Sequence, residues 1–369
     1  MKVCVIGPRK VPEHIGGIET VYTNLYPELV RLSGEAEVTL VTRSTHVEPS
    51  FDFNGTRVIP LKSDYSAGFE NFWGTIKALF YAKRHLKPDI VHLHGIGPGI
   101  FAPVAKLLGF RVVTTHHSRD YDRPKWPWHA RAVLKTGEVF TCLFSDRVVC
   151  VSRALKDDID TRLPFMRRKR RAIPNAVAEP ATRLSDNGPL ERFGLDSGCY
   201  LLCVGRIEET KGFDVAVAAY EKANLAIPLV IVGDPGEDKA YAERLGSSTR
   251  DVRLVGPVTG DDLALLYSHS TLLINPSRME GYCLVVAEAI MNECRVLLSD
   301  ISVHREFALN DACYFPLNDV DALTSKLMSP DYSGFDSSVG RARLAEWQWR
   351  DAATSYWQLY VELAGLPSS

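Results

Sequence analysis

The stretch LLCVGRIEETKGFD, residues 201–214, begins as an apolar run, turns at Gly205 and enters a helical pattern after Gly212. A strand that passes through a short glycine-bearing turn into a helix is the opening of a βαβ unit. In open parallel sheets, ligands bind beyond the carboxyl ends of the strands. Arg206 and Lys211 fall in that turn, where two cations over a helix start suit a diphosphate. The plainer reading is a pair of surface cations.

Further along, SRMEGYCLVVAEA (277–289) repeats the pattern after the apolar run LLIN and the turn NPS. A loop entering a helix offers free N–H groups and the positive end of the helix dipole, which suits a phosphate. Gly281 lets a backbone approach a ligand closely. Glu280 and Glu288 accept hydrogen bonds only, which suits sugar or ribose hydroxyls. The plainer reading gives Glu280 to the helix dipole and leaves Glu288 as a solvated or capping charge.

Outward from these two stretches, short Val/Ile/Leu-rich runs alternate with longer helical patterns. Strands are expected at 3–7, 38–42, 89–94, 111–116 and 146–152. A second series lies at 200–205, 228–233, 252–256, 271–276 and 295–300. Continuous apolar runs of this length belong to parallel strands covered on both faces. Alternation with helices gives a doubly wound sheet. The Pro-, Asn- and Ser-rich stretch 173–190 separates the two series and reads as a linker. The expected division is 1–175 and 176–345, with an amphipathic helix about 346–369 packing back on the first domain. Trp347, Tyr356, Trp357 and Tyr360 supply its apolar area.

In the first series, the loop PRKVPEHIGG follows the first strand and leads into a helix near Gly17. Gly16 and Gly17 can set N–H groups around an anion, or simply supply the φ angles a turn needs. This is not the GxGxxG of a plain dinucleotide site. His116 and His117 end another strand, where an imidazole can orient a substrate hydroxyl or take its proton. His92 and His94 alternate with apolar residues and read as buried structural groups. Three DxD pairs occur, Asp120/Asp122, Asp158/Asp160 and Asp319/Asp321. Such a pair can hold a divalent metal, but three copies point to ordinary solvated carboxylates. The run Arg167–Arg168–Lys169–Arg170–Arg171 reads as a solvated loop or a contact for anionic lipid.

Composition fits this picture. The chain has 369 residues, 46% of them apolar and 24% charged, enough for two domains with separate cores. Eight cysteines include no CxxC pair, so neither a zinc ribbon nor a thioredoxin-like motif is expected, and a reducing, cytoplasmic setting is. The opening MKVCVIG reads as a buried strand and not as a signal peptide. The net charge of −2 conceals an asymmetry: 27 Lys and Arg face 17 Asp and Glu up to residue 178, and 16 face 28 beyond it. A basic first half suggests an anionic partner.

Taken together, GGIET, VHLHG, THH, SDRVVCVS, IPNAV, VGRIEETKGFD, LVIVGD, the two-glutamate stretch and SDISVHREF resemble, in order and spacing, a retaining nucleotide-sugar glycosyltransferase of family four (glycosyl transferases group 1). The resemblance implies the GT-B architecture: two Rossmann-like, doubly wound parallel-sheet α/β domains facing a cleft. It implies that Gly16 and Gly17 approach the donor phosphates or the transferred sugar. Arg206 and Lys211, beside Gly205, neutralise the diphosphate, and Glu280 binds sugar hydroxyls. The N–H groups of Tyr282, Cys283 and Leu284, after Gly281, face sugar and phosphate, while Glu288 holds the ribose. His117 is the better match to the family's active-site histidine, with His116 as fallback. Cys283 stands where glycine is commonest, and Glu293 and Arg295 replace the usual Gly and Pro.

The expected activity is transfer of a hexosyl group from a UDP- or GDP-linked sugar to an acceptor hydroxyl, with retention, without a metal and without a cofactor. The expected acceptor is a saccharide or lipid-linked saccharide of polysaccharide or lipopolysaccharide assembly, with the basic half against the inner face of an anionic membrane. The rivals are a sugar-nucleotide 2-epimerase of the same architecture, a metal-dependent inverting transferase using Asp120 and Asp122, and a non-catalytic nucleotide-sugar sensor. No nucleic-acid partner is expected, since no aromatic interleaving or nucleic-acid module accompanies the basic run.

Overall fold

Strands β1 (Lys2–Ile6), β2 (Glu37–Ser44), β3 (Phe51–Phe53), β4 (Thr56–Lys62), β5 (Ile90–His94), β6 (Arg111–His116), β7 (Arg147–Cys150) and β8 (Arg170–Ala172) form one sheet in the order β3-β4-β2-β1-β5-β6-β7-β8. All neighbours pair parallel except β3 with β4. The structure is a computed structural model describing residues 1–8, 11, 16–44, 46, 48–62, 70–124, 126–179, 188–236, 238–329 and 331–366. Much of the loop PRKVPEHIGG, residues 180–187 of the expected linker and the last three residues lie outside that set.

The second sheet holds β9 (Leu201–Val204), β10 (Leu229–Val232), β11 (Val252–Gly256), β12 (Leu272–Asn275), β13 (Val296–Ser299) and β14 (Tyr314–Phe315), ordered β11-β10-β9-β12-β13-β14 and wholly parallel. Taken in chain order, this is 3-2-1-4-5-6, the dinucleotide-fold order, with its direction of winding reversing between β9 and β12. The chain divides into two units, Met1–Asn175 with Trp349–Ser369, and Ala176–Gln348. Each is an α/β parallel-sheet unit, as the alternating pattern requires.

Burial explains the strand composition. Every residue of β5, β9, β10, β12 and β13 is buried. The thiols of Cys4, Cys150 and Cys203 are among the core groups, all eight cysteines being unpaired. Burial pushes the Cys4 thiol up to about 12, so it behaves as a small apolar group.

Several expectations need correction. The hairpin β3–β4 goes beyond the expected strands; it turns on Asn54 and Gly55, both at positive φ (49° and 81°). The expected strand 146–152 is shorter, because Ser152 leaves it to cap the helix Arg153–Arg162, accepting from the Leu155 N–H at 3.1 Å. The C-terminal helix begins at Trp349, not near 346.

The basic run is no uniform solvated loop. Arg170 is 1% exposed and lies on β8, donating to Asp160 Oδ1 at 2.5 Å and to the Leu163 and Phe165 carbonyls. Lys169 Nζ donates to the carbonyls of Leu143 (3.0 Å) and Ser145 (3.1 Å). Only Arg167, Arg168 and Arg171 stand exposed.

Candidate active site

The winding reversal between β9 and β12 sets two loops side by side in the second unit, Gly205–Gly212 and Pro276–Cys283. Gly212 makes their approach possible: a Cβ there, at φ +67°, would stand 2.2 Å from the Pro276 carbonyl oxygen. Gly233, after β10, likewise lets that strand end approach Gly205, since a Cβ on Gly233 would stand 1.8 Å from the Gly205 carbonyl oxygen. The Arg278 N–H donates to the Thr210 carbonyl at 2.8 Å. Its guanidinium grips Asp214 at 3.0 and 2.7 Å and reaches the Glu209 carbonyl. Ser299 Oγ, at the end of β13, donates to the Ser277 carbonyl at 2.6 Å. Three successive strand ends therefore anchor one surface.

Lys211 and Glu280 meet on it, with Nζ 2.6 Å from Oε1. Ser277 Oγ donates to the same carboxylate oxygen at 2.7 Å. The pair is largely buried, at 16% and 9% side-chain exposure. Burial pushes the Glu280 carboxyl up, but the Lys211 charge and the hydrogen bonds from Lys211 and Ser277 outweigh it and hold it below the usual range. Burial likewise lowers Lys211, and Glu280 more than restores it. Both groups are ionised. Lys211 keeps donors beyond the one given to Glu280, and Oε2 of Glu280 keeps its lone pairs. Arg206 stands 49% exposed with Glu208 Oε1 at 3.5 Å.

The next helix, Leu284–Met291, starts from Cys283 in the left-handed region (φ 69°, ψ 66°) without a side-chain cap. Gly281, expected to let the backbone approach a ligand closely, has no positive φ; Cys283 is the residue that takes the left-handed conformation. Glu293 also has positive φ, 60°. Both positions at which the resemblance places glycine are thus left-handed, which leaves this chain with strain at each. Among the described residues, the N–H groups of Tyr282, Cys283, Leu284 and Val285 have no hydrogen-bond acceptor. Four open donors at a helix start form an anion seat.

On that helix Glu288 is partly buried and accepts from Tyr267 OH at 3.1 Å. Burial raises its carboxyl to about 7, against the hydrogen bond from Tyr267, which lowers it.

In the first unit, Gly16 precedes the helix Gly17–Ser33 at φ 128°, ψ 152°, outside the range of other residues. A Cβ there would lie 2.6 Å from Glu19 Oε2, so a carboxylate already lies against this helix start. His116 and His117 part company. His116 is fully buried and its Nε2 bonds Glu138 at 2.8 Å, while Tyr121 OH and Arg162 hold the same carboxylate. His117 turns the other way, stacks on His94 and bonds it, Nε2 to Nδ1, at 2.9 Å.

The DxD carboxylates are engaged elsewhere. Asp120 accepts from Ser118 and pairs with Arg123, and Asp122 pairs with Arg119. Asp158 and Asp160 pair with arginines, Asp319 caps a helix and Asp321 pairs with Lys222. Among the described residues, no group of three His, Cys, Asp or Glu is placed to hold a metal ion.

Sequence reasoning missed Arg278, Asp214, Tyr267 and His304. Of these, His304 carried a signal, as a histidine inside the apolar SDISVHREF. It is fully buried, with Nδ1 2.8 Å from the Ser299 carbonyl oxygen and Nε2 without a partner among the described residues. It lies within electrostatic reach of Glu280 and Lys211.

Residues 15–179 match the model of Glycosyltransferase Family 4, and residues 198–329 that of Glycosyl transferases group 1. The chain is 25% identical over 176 residues to the O-antigen chain mannosyltransferase B of Escherichia coli, covering 45% of this chain and 46% of that protein. It thus spans about half or less of the curated relatives it first matches. Sucrose-phosphate synthase from Thermosynechococcus elongatus superposes with a TM-score of 0.79 at 20% identity, over 99% of each chain. The Anabaena protein HepE in complex with UDP and glucose gives 0.75 at 13% identity, over 99% of this chain and 100% of that one. With two parallel-sheet α/β units and both family models matched in order, the chain belongs to glycosyltransferase family four, the group 1 glycosyltransferases of GT-B fold.

Proposed function

We propose that this chain moves a hexosyl group from a nucleoside diphosphate sugar to an acceptor hydroxyl, with retention of anomeric configuration and without a metal ion. The observation that carries the reading is the Lys211–Glu280 pair at the winding reversal of the second sheet, next to four open N–H groups. A cation and a carboxylate in one buried spot match the two ends of a sugar diphosphate. Arg206 and the spare donors of Lys211 neutralise the phosphates and stabilise the charge that grows as the diphosphate leaves. Oε2 of Glu280 accepts from sugar hydroxyls, and Glu288 from the ribose. Gly281 to Leu284 supply backbone. From the first unit we assign His117 as a hydrogen-bonding group for the sugar, since His116 is committed to Glu138.

The mannosyltransferase relative and the neighbour holding UDP and glucose nominate GDP-mannose and UDP-glucose as the donors to try first. We assign the acceptor to the lipid-linked saccharides. Exposed Trp128, Phe165 and Met166, the last two adjoining Arg167 and Arg168 in sequence, suit a contact with an anionic membrane surface. No helix among the described residues is long and apolar enough to cross a membrane.

The test is an assay with each labelled nucleotide sugar and lipid-linked saccharide acceptors, with and without a chelator. Transfer that leaves the anomeric configuration unchanged and survives chelation supports the reading. Conversion of the nucleotide sugar without acceptor would make the chain an epimerase, and donor binding without turnover across the acceptor panel would make it a sensor.

A further inference from the structure

One guanidinium ties together the carboxyl ends of β9, β10, β12 and β14. Arg278, in the loop after β12, stands two residues from Glu280, and Asp214 stands three from Lys211. Arg278 Nη1 and Nη2 fork the Asp214 carboxylate at 3.0 and 2.7 Å, at the start of the helix Phe213–Ala223. Nη1 also donates to the Glu209 carbonyl, in the loop after β9. Nε donates to Asn318 Oδ1 at 2.8 Å, in the loop after β14. Asp214 Oδ1 takes a further bond from Tyr241 OH at 2.8 Å, and that hydroxyl accepts from the Asp214 N–H at 3.0 Å. Tyr241 is buried and belongs to the helix Lys239–Gly246, which follows β10.

As an ion pair this fork contributes little stability, because the Arg278 and Asp214 side chains are 31% and 38% exposed. What a planar bidentate contact supplies is direction. A lysine is a single point charge and cannot meet a carboxylate edge, a carbonyl and an amide oxygen together. The fork therefore fixes the backbone of 209–214 against that of 277–280, and Lys211 and Glu280 project from those two spans. A second guanidinium of the same make serves as a reference. Arg253 forks Asp251 at 2.9 and 2.7 Å and donates to the Phe193 and Gly194 carbonyls. It stands at the start of β11, the amino end of the sheet, away from the strand ends that carry the site.

We propose that Arg278 and Asp214 are positioning residues that set Lys211 and Glu280 at the spacing a sugar diphosphate needs, with Tyr241 and Asn318 holding the fork in place. That the two loops are held by this fork rests on the hydrogen bonds alone. That they are held for a sugar diphosphate rests on the functional reading above.

The test has a ligand-free arm and a binding arm, both on the full chain. The N–H groups of Lys211, Gly212 and Arg278 donate to the carbonyls of Glu208, Glu209 and Thr210. In Arg278→Met these three amides exchange with deuterium about tenfold faster, while the amides of β9, β10 and β12 keep their wild-type rates. In Arg253→Met the three amides are unchanged. In the binding arm, calorimetry with UDP-glucose and GDP-mannose shows Arg278→Met and Arg278→Lys weakened on the order of tenfold to a hundredfold, and Arg253→Met unaffected. Affinity is the deciding readout, because unfolded molecules lower the number of sites and leave Kd as it was. Adding Asp214→Asn to Arg278→Met weakens binding no further, since the two act as one unit. A folded Arg278→Met with wild-type exchange or wild-type affinity overturns the proposal, and so does exchange that rises equally across the whole second sheet. If Arg278→Met does not fold, Tyr241→Phe, which keeps the ring and removes one bond to Asp214, must weaken binding about threefold, and no change there overturns the proposal as well. A wild-type chain that binds neither nucleotide sugar sinks the functional reading, and the exchange rates then decide on the fork by themselves.

Discussion

Glu288 illustrates how one side chain ties burial to ligand binding. Its folded pKa of about 7 lies above the ordinary 4.5, so the folded state holds a proton that the unfolded chain has released. Its contribution to stability is full below about pH 4.5 and is lost as pH rises through about 7. The ribose contact proposed for Glu288 needs the carboxylate, so donor binding through it would release this proton. Affinity for UDP-glucose or GDP-mannose therefore weakens as pH falls below 7, approaching tenfold per unit, and flattens above it. Calorimetric titration between pH 6 and 8 checks this, and Glu288→Gln removes the dependence; a flat profile in the wild type contradicts it. The Lys211–Glu280 pair supplies a second residue-scale prediction. Lys211→Met leaves a buried carboxylate unpaired and costs about 3 kcal/mol, read by urea denaturation. Lys211→Met with Glu280→Gln regains most of that stability but no transferase activity. Equal losses in single and double variants would deny the coupling. The pairing itself was not legible in the sequence, where the two residues stand 69 apart. The cation was read as a phosphate ligand and the acid as a sugar ligand because nothing local reports a contact between loops.

The loops and helix starts are where local sequence carried most and misled most. The stretch 201–214 shows strand, turn and helix directly, because its apolar run is short and glycines stand at both ends of the turn. The hairpin β3–β4 was as open to reading in Asn54–Gly55, a turn pair that favours positive φ, but it lay between weakly patterned strands. The place of strain was harder to see. Gly281 looks like the flexible residue, yet the backbone turns left-handed at Cys283, since that residue must leave the β12 loop and start the helix. At this position Cys283→Gly is more stable than Cys283→Ala by about 1 kcal/mol, because alanine keeps the left-handed cost and glycine does not. Thermal unfolding of the two variants measures the difference, and alanine equal or better would show the strain absent. Gly212 makes the opposite prediction. Gly212→Ala meets both a left-handed backbone and the Pro276 carbonyl, so it destabilises by about 2 kcal/mol or more and weakens nucleotide binding by pushing the two loops apart.

Across the whole chain, alternation of apolar runs with helical patterns was enough to give two parallel-sheet units, because period and length survive without knowledge of contacts. Charge was legible only in part. The basic run looked like one surface until Arg170 proved to be a buried clamp on Asp160. The histidines show the same limit: their positions at strand ends could be read, but which of His116 and His117 Glu138 would hold could not. What unites these features in the proposed function is a nucleoside diphosphate seated on the loops that follow β9 and β12, over the N–H groups at 282–285. Hydrogen exchange of the full chain with and without UDP-glucose or GDP-mannose tests this most directly, since amides lacking an acceptor exchange freely until a ligand covers them. The account predicts slowed exchange at 205–212 and 282–285 with a nucleotide sugar bound. Binding that leaves both segments unprotected, or protects a different part of the second unit, would contradict it.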